Sequence, residues 1–496
     1  MIDHLPPLLV VLPIVGATLP LVAGLLTDRA GWPITTVTML VHAPLAGLLW
    51  WTVWTDGVVE YAVGGYAAPY GIELVVDGLS ATVVLLVSVV ALGLLAYARR
   101  AGPRSNTFSS MYLLLVTGLT GMTVTGDVFN LYVFLEITGL AAYGLVASGR
   151  EGSSAVAALK YLIIGTVGAS LYLLGVGYLL AGTGTLNMAD LAGTLGTEAA
   201  PYDSTLVLTA FGLVVGGLTV KVALFPLHTW QPDAYANAPD TVSAFISALV
   251  STVSAYALAR LLFSVFTVDF LTAVPAARWA LLGLASVSII AGSALAVAQS
   301  NVQRMLAYSS VSQFGLVVAG FTIATPVAVV GATIHLVGHA IMKGGLFAAT
   351  GIIERRTGAR SVRSYAGMGA RTPLAAGSFA VLALAMVGVP PAVGFFGKWY
   401  IVVGAVESGL WPVVVVLLAS TLLTLAYFAR LVERLYFAEP TIREGEETAV
   451  ADGGESVSTG MVAVVVTAAV LSIALIAGVP VLDSLLNETL PPLLQR

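Results

Sequence analysis

Cysteine is absent from the 496-residue sequence, and charged residues make up only 9% of it. Without cysteine the chain has no disulfide, no thiolate metal site and no cysteine nucleophile. A soluble protein of this length needs far more surface charge, whereas 58% of these residues are apolar. The net charge of -5 and the lack of a basic run argue against a nucleic-acid partner. These absences predict an integral membrane protein whose main solvent is the lipid bilayer.

Lysine is almost missing too, because 17 of the 21 basic residues are arginine. A genome rich in G and C prefers arginine, which explains the lack of surface lysine but not the position of the four lysines that remain. All four lie in or beside apolar stretches: Lys160, Lys221, Lys343 and Lys398. A buried lysine, unlike arginine, can give up its proton near neutral pH. The four lysines are therefore candidate proton-handling groups.

Apolar stretches of about 20 residues, the length that crosses a bilayer, recur along the whole chain. Fourteen are predicted, near 5–26, 35–54, 77–98, 109–126, 128–148, 159–181, 205–226, 240–264, 278–298, 304–323, 327–351, 372–404, 410–436 and 460–480. If the N-terminus lies outside, the cytoplasmic loops carry 14 of the 17 arginines, as the positive-inside rule requires. We therefore expect an all-α polytopic membrane protein with 14 transmembrane helices and both termini outside.

Two of these spans are interrupted. The seventh runs past Lys221 into Pro226 and a polar segment, and the twelfth, 372–404, is too long for one crossing and contains Pro390 and Pro391. Broken helices in transporters line polar cavities and often occupy matching positions of inverted repeats. Because the two breaks are five spans apart, we expect two inverted five-helix repeats. The expected organisation is a single membrane domain, 1–496, with repeats at 109–264 and 278–436 and flanking helices at 5–98 and 460–480.

Charged side chains in the middle of a span cost about 2.5–3.5 kcal/mol each, so they are functional candidates. Glu136 lies within the fifth span, and Lys221 is the basic group in mid-membrane in the first half, so the two are expected to pair. A static structural ion pair is the alternative, but buried ion pairs stabilise proteins weakly. Lys398 follows the break in the twelfth span and is expected at the place equivalent to Lys221.

His335, His339 and Lys343 are spaced by four residues, which puts them on one face of the eleventh span. Imidazole titrates near neutral pH and can pass a proton to an adjacent amine, so this row is a candidate proton relay. The alternative for each histidine alone is a structural role. Lysine is not a usual metal ligand and no carboxylate is near in the sequence, so neither a metal nor a cofactor is expected.

Three further residues have two interpretations each. Lys160, at the start of the sixth span, either extends its ammonium group to the lipid headgroups or takes part in proton transfer. Asp127 lies at the outer edge of the membrane and His228 near the inner end of the seventh-span break. Each of these two is either a mouth of the ion path or a local cap.

Six strings of residues around these positions resemble the proton-conducting membrane subunit family. They are Gly126-Asp-Val-Phe-Asn-Leu-Tyr-Val-Phe-Leu-Glu136, Ala158-Leu-Lys-Tyr161, Val220-Lys-Val-Ala-Leu-Phe-Pro-Leu-His-Thr-Trp-Gln-Pro-Asp-Ala-Tyr235, Leu306-Ala-Tyr-Ser-Ser-Val-Ser-Gln313, His335 to Phe347 and Gly394-Phe-Phe-Gly-Lys398. The family includes antiporter-like subunits of respiratory NADH:quinone oxidoreductase, membrane-bound hydrogenases and Mrp-type sodium/proton antiporters. The resemblance covers nearly the whole chain and, within the family, is greatest to the D-type subunits of the Mrp antiporters.

The resemblance implies 14 helices with two inverted repeats, a functional Glu136–Lys221 pair, Lys398 as the terminal lysine, and the row from His335 to Lys343 as the link between two half-channels. It also implies a recurrent lysine at position 160, of less settled role. One departure is that many relatives carry a lysine on the eighth helix, where this sequence has Thr252. Threonine holds water but no charge, so water bridges the gap or the path is altered or broken there.

The expected function is that of the proton-translocating subunit of a multisubunit Na⁺/proton antiporter in the cell plasma membrane, a secondary transporter subunit rather than an enzyme. The expected partners are other membrane subunits, protons and Na⁺. The nearest alternative is a proton-pumping subunit of an NADH:quinone oxidoreductase or a membrane-bound hydrogenase. A non-transporting scaffold subunit is the alternative of another class, and the threonine at position 252 is its main support.

Overall fold

A computed structural model describes residues 2–149, 151–439 and 457–494 of the protein. The first ten helices are α1 (Leu5–Ala23), α2 (Gly31–Asp56), α3 (Gly78–Ala101), α4 (Asn106–Val124), α5 (Val128–Ala147), α6 (Gly152–Thr183), α7 (Met188–Thr194), α8 (Thr205–Val222), α9 (Gln231–Asn237) and α10 (Asp240–Ser264). The others are α11 (Thr267–Ala273), α12 (Pro275–Ala298), α13 (Val302–Ile323), α14 (Pro326–Thr357), α15 (Met368–Arg371), α16 (Pro373–Val387), α17 (Val393–Glu407), α18 (Trp411–Tyr436), α19 (Thr459–Ala474) and α20 (Val479–Leu494).

In this part of the chain, 13 helical segments are long and apolar enough to cross a membrane. The expected twelfth span is built differently, from α16 and α17, which have 15 residues each. The other predicted spans each coincide with one long helix, except that the fourteenth, 460–480, runs from α19 through a 3₁₀ turn at Leu475–Gly478 into α20. The prediction of an all-α polytopic membrane protein is confirmed. One small exception is an antiparallel hairpin of β1 (Val59–Ala62) and β2 (Glu73–Val76), which was not predicted.

Helices α10, α13 and α14 form the centre of the bundle. Helix α10 is buried along its whole span and the other two along almost all of theirs, whereas α1, α2, α6 and α18 expose much of their surface. An apolar helix that is covered on all sides has no contact with lipid, so polar groups on α10, α13 and α14 face protein. The centre of the molecule is therefore where a buried polar path has room.

The seventh span breaks directly after Lys221. Helix α8 ends at Val222, and Ala223 adopts a left-handed conformation with φ of 67°. The carbonyl oxygen of Val220 accepts a 3.2 Å hydrogen bond from the backbone N–H of Ala223 and a second, of 2.9 Å, from the indole Nε1 of Trp230. The side chain of Trp230 thus supplements the backbone hydrogen bonds at this buried helix end.

The twelfth span breaks between Val387 and Val393. Gly388, with φ of 98°, ends α16, and the chain re-enters a helix at Val393. The Nζ of Lys398 on α17 donates to the carbonyl oxygens of Met386 and Val387, at 2.9 and 3.0 Å. Both broken spans that the proline positions predict are therefore present.

Candidate functional site

One face of α5 holds the first lysine. Glu136, Gly139 and Tyr143 follow each other at intervals of three and four residues and so lie on the same side of the helix. The Nζ of Lys221 is 3.5 Å from Oε1 of Glu136 and donates a 3.2 Å hydrogen bond to the hydroxyl of Tyr143. A Cβ atom at position 139 would lie 3.3 Å from this Nζ, so glycine leaves the room for it. The structure brings the predicted pair together, with Lys221 5% and Glu136 22% exposed.

Three aromatic rings pack against one another beside this pair. The ring of Tyr143 meets that of Tyr161 edge-on at 4.6 Å, and Tyr161 stacks on Trp230 at 3.9 Å with nearly parallel planes. Trp230 is the residue that closes the helix break. The position of Lys221 is therefore set by packing on both sides of the break. The sequence analysis did not single out these rings, although two of them, Tyr161 and Trp230, lie in the strings that carry the family resemblance.

Lys160 is bound to a carboxylate that the sequence analysis did not select. Its Nζ lies 2.6 Å from Oδ2 of Asp233 on α9, and Nη1 of Arg304 on α13 lies 2.5 Å from Oδ1 of the same residue. Burial alone would raise the pKa of Asp233, but the hydrogen bonds and charges of the two cations outweigh it and hold the pKa below its usual range. This shared carboxylate ties α6, α9 and α13 together.

A neutral polar cluster lies between the first break and α14. The side-chain amide of Gln231 donates to the hydroxyl of Tyr235 at 3.1 Å and to that of Ser251 at 3.2 Å, and all three side chains are buried. The amide oxygen of Gln231 has no hydrogen-bond partner within residues 2–149, 151–439 and 457–494. The ring of Tyr235 contacts that of Phe347 on α14 edge-on at 5.6 Å. The cluster therefore extends polar groups from the break to α14.

Thr252 is next to this cluster on α10. It is fully buried, and its hydroxyl donates a 2.6 Å hydrogen bond to the carbonyl oxygen of Ala248 in its own helix. Ala248 in turn packs against α14, since a Cβ atom on Gly344 would lie 3.3 Å from the Cβ of Ala248. The hydroxyl oxygen of Thr252 still has capacity to accept a hydrogen bond, as the prediction of a water-holding residue requires.

The row on α14 faces α13, as its spacing predicts. Nε2 of His335 lies 2.9 Å from Oε1 of Gln313, and the ring of His339 meets that of Phe314 at 4.5 Å. Lys343 donates to the carbonyl oxygen of Leu306 and to the hydroxyl of Ser309, both on α13. All three members of the row are fully buried.

Several buried polar atoms of this row have no partner among the described residues. Within the described residues, Nδ1 of His335 and both ring nitrogens of His339 have no hydrogen-bond partner. Neither Lys343 nor Lys398 forms an ion pair with a described carboxylate. Such groups are costly to bury, and a row of them in the centre of the bundle can accept and release protons.

Helix α17 brings Lys398 against the row. A Cβ atom on Gly397 would lie 2.7 Å from the Cβ of His335, so only glycine allows this approach of α17 to α14. One expectation needs correction: Lys398 does not occupy the place equivalent to Lys221. Lys221 lies on the last turn before its break, whereas Lys398 follows its break and caps the preceding helix α16. The order of each lysine and its prolines is visible in the sequence, but the capping of α16 by Lys398 is not, because it depends on how the side chain reaches across the gap.

Residues 125–424, which contain every group described so far, match the family described as NADH:quinone oxidoreductase/Mrp antiporter, transmembrane. The chain belongs to this family.

The relatives of this chain fall into two groups by name, subunits of NADH-quinone oxidoreductase and subunits of Na⁺/H⁺ antiporters. NADH-quinone oxidoreductase subunit N of Desulforudis audaxviator is 44% identical over 88% of this chain and 87% of its own length. The D subunit of a Na⁺/H⁺ antiporter of Bacillus subtilis is 32% identical over 82% of this chain and 81% of its own. A chain in the Mrp complex structure from Dietzia sp. superposes with a TM-score of 0.89 and 25% identity, covering 99% of this chain and 97% of that one.

The remaining candidates in this antiporter-family chain make local contacts. Asp127 caps α5, since its Oδ1 accepts a 2.6 Å hydrogen bond from the backbone N–H of Asn130. His228 lies buried in the first break, where its ring stacks on Phe225 at 5.2 Å, and its Nδ1 has no partner in the described ranges. No three His, Asp or Glu side chains of those ranges converge as metal ligands.

Proposed function

We propose that this antiporter-like membrane subunit translocates protons within a multisubunit monovalent cation (Na⁺)/proton antiporter of the cell plasma membrane. The observation that carries the proposal is a buried lysine at each of two helix breaks, with a row of buried titratable groups between them. The names of the Bacillus subtilis relative and of the Dietzia complex support an assembly with other membrane subunits. The chain is then a secondary transporter subunit and needs no cofactor of its own.

The proposed route joins the buried polar groups described above, with water bridging those that are not in direct contact. It runs from Glu136 and Lys221 through the cluster of Gln231, Tyr235 and Ser251, with water held near Thr252, to His339, His335 and Lys343, and ends at Lys398. The attraction between two unit charges at about 4 Å is about 4 kcal/mol at an effective dielectric constant of 20. Since about 1.4 kcal/mol changes an equilibrium tenfold, a shift of Glu136 away from Lys221 is sufficient to drive a proton towards the row.

The proposed repeats, 109–264 and 278–436, are supported by matching elements. The third span of each is a helix of 32 residues, α6 and α14. In each repeat this long helix packs against the broken span, α6 on α8 and α14 on both α16 and α17. Because five spans separate the halves, the two repeats have opposite orientations in the membrane, with both termini outside.

The test is sodium-dependent proton movement, followed with a pH-sensitive dye in everted vesicles from an antiporter-deficient host that expresses the chain with its neighbouring genes. We expect Lys221→Ala and Glu136→Ala to reduce transport at least tenfold while the protein stays in the membrane. Lys221→Arg should fail too, because arginine keeps the charge but does not release a proton. Arg363→Ala, on an exposed loop, is the matched control. Full activity of Lys221→Ala would refute the proposal.

The 44% identity with a subunit N favours a second candidate, a proton-pumping subunit of a redox complex. The same proton route would serve a redox-driven pump, since only the partner subunits that drive the proton movement differ. Purification of the native complex distinguishes the two: iron–sulfur subunits would identify a redox pump, and small membrane subunits alone an antiporter. A purified membrane complex that shows neither sodium-driven nor redox-driven proton movement would support the alternative of a non-transporting scaffold subunit, with the path interrupted at Thr252.

A further inference from the structure

A basic cavity lies at one end of the helix bundle, away from the proposed proton route. Its volume is about 710 Å³, and it lies between the α1–α2 loop, the C-terminal end of α3 and the start of α19. Its lining residues are Asp28, Arg29, Trp32, Pro33, Ala96, Arg99, Arg100, Arg104, Ser458, Thr459 and Gly460. Four arginines against one aspartate make it strongly positive.

Three of the four arginines of this cavity are only partly engaged by the residues that the structure describes. The guanidinium of Arg99 lies 4.8 Å above the ring of Trp32, and Nη2 of Arg104 donates to the carbonyl oxygen of Arg100 at 2.9 Å. Arg29, Arg99 and Arg104 form no salt bridge with any residue that the structure describes. Guanidinium groups bind phosphate oxygens through two parallel N–H donors, so the cavity has the chemistry of a phosphate site.

The start of helix α19 presents further N–H donors to the same space. Helix α19, with 16 residues, begins at the cavity, and its cap Ser458 accepts a hydrogen bond from the N–H of Met461. The preceding N–H groups, of Thr459 and Gly460, have no acceptor within the described ranges. These donors, like the arginines, favour an anion with several oxygen atoms.

The position of the cavity identifies the source of that anion. All of its residues lie at the ends of spans or in the loops next to them, at the level of lipid headgroups rather than in the hydrocarbon. The positive-inside rule assigns this end to the cytoplasmic leaflet, where anionic lipids concentrate. We propose that the cavity formed by Arg29, Arg99, Arg104 and the start of α19 binds the phosphate of an anionic phospholipid headgroup.

The experiment measures lipid preference of the full-length protein. Spin-labelled phosphatidylglycerol and phosphatidylcholine are compared by electron paramagnetic resonance in reconstituted vesicles, for the native chain and for Arg29→Gln/Arg104→Gln. The control is Arg356→Gln/Arg363→Gln, which removes the same charge from residues of the same membrane face outside the cavity. In the proposed complex Arg29 and Arg104 donate to one phosphate, whereas Arg356 and Arg363 attract the membrane surface only at longer range, where salt screens them. We therefore expect the cavity variant to lose at least tenfold in preference for phosphatidylglycerol and the control to lose much less.

The source of the phosphate is tested separately. Binding of inorganic phosphate to the detergent-solubilised protein, followed by ³¹P nuclear magnetic resonance, should be weak beside that of phosphatidylglycerol. Strong phosphate binding that only the cavity variant loses would keep the site but assign it to a soluble phosphate. Equal lipid preference in the native chain, the cavity variant and the control would overturn the proposal.

A second measurement needs no substitution. Phosphatidylglycerol with a photoactivatable headgroup is crosslinked to the native protein, and the labelled peptides are identified by mass spectrometry. We expect labels within 96–104 and next to Ser458. Labels spread evenly over all arginine-bearing loops of that face would contradict the assignment, even if the double variant fails to fold.

Discussion

Two buried histidines of this chain, His42 and His339, differ in whether their ring nitrogens have hydrogen-bond partners. In α2, the ring of His42 is bonded on both sides, with Nε2 3.0 Å from the carbonyl oxygen of Leu9 and Nδ1 3.0 Å from the hydroxyl of Ser88. His339 is equally buried, yet neither ring nitrogen has a partner in the described part of the chain. A buried polar group without a partner costs about 1–3 kcal/mol. The fold gains no hydrogen bond from the ring of His339 within the described residues, which supports the proposed relay as the role of this residue.

Replacing each histidine by leucine should therefore give opposite results. We expect His339→Leu to reduce proton transport at least tenfold while leaving thermal stability in detergent unchanged or higher. His42→Leu should lower stability by about 1–3 kcal/mol, because Leu9 and Ser88 lose their partner, and the folded fraction should still transport. Both are measured by thermal unfolding and by dye response in vesicles. A stability loss in His339→Leu equal to that of His42→Leu would give the two residues the same structural role.

At this scale the sequence singled out the charged groups inside the spans, but it missed Asp233 and most of the neutral polar groups. Glu136 and Lys221 were recognisable because a charge inside an apolar stretch is rare and costly. Gln231, Ser251 and Tyr143 gave no such signal, since uncharged polar residues are common in transmembrane helices and many of them bond to backbone carbonyls of their own helix. Their arrangement depends on where the chain turns after α8, which only the three-dimensional structure gives.

Among the helices, α17 and α14 approach each other closely at the candidate site. The missing side chain at Gly397 lets the backbone of α17 approach His335, and the neighbouring residue Lys398 is positioned by the same contact. The two prolines predicted a break in this span but not which helix α17 would meet after it. Helix packing of this kind depends on the shape of both partners and leaves little trace in one sequence.

Gly397→Ala tests this contact. Its new Cβ atom would lie 2.7 Å from the Cβ and 2.8 Å from the Cα of His335, so α17 must shift, at an expected cost of about 1–3 kcal/mol. We expect lower thermal stability and at least a severalfold loss of transport. Gly283→Ala on α12 is the matched control, because a Cβ atom there meets nothing within 4 Å. The control should keep transport and gain up to about 1 kcal/mol in helix stability. Equal behaviour of the two variants would refute the role of close packing.

Asp233 links three helices, and its contribution to the stability of the fold depends on pH. Because Lys160 and Arg304 hold its pKa below the usual range, its ion pairs stabilise the fold at pH values above the ordinary aspartate pKa of about 3.9. This contribution is lost as the pH falls through the lower folded-state pKa. We expect Asp233→Asn to lower stability by about 1 kcal/mol at pH 7 and the difference from the native chain to vanish at the acid end. A difference that stays constant down to about pH 2, well below the ordinary aspartate pKa, would contradict this assignment.

For the whole molecule, the polytopic all-helical class and the positions of most spans could be predicted because the bilayer sets a fixed length for each apolar stretch. Helix breaks followed from proline, which cannot continue a helix. The hairpin of β1 and β2 and the packing of α10, α13 and α14 at the centre could not be predicted, since neither depends on hydrophobic length. Orientation rests on arginine counting alone and needs its own measurement.

A chain without cysteine allows orientation to be measured with single introduced thiols. Thr197→Cys, in the exposed segment between α7 and α8, should react with a membrane-impermeant maleimide in intact cells. Ser153→Cys, exposed at the start of α6, should react only after the membrane is permeabilised. The cysteine-free native chain is the control for background labelling. The reverse pattern would place both termini inside and move the basic cavity to the outer leaflet.

The hydrogen bonds of Lys398 across the gap between α16 and α17 have a consequence for proton transfer at this lysine. An ammonium group has three N–H bonds, and Lys398 uses two of them on the carbonyl oxygens of Met386 and Val387. A neutral amine retains two N–H bonds and gains a lone pair. Both carbonyls therefore stay capped after a proton leaves, and the lone pair is ready for the next one. Helix α16 need not open or close during turnover, so this end of the route can work as a relay without a moving part.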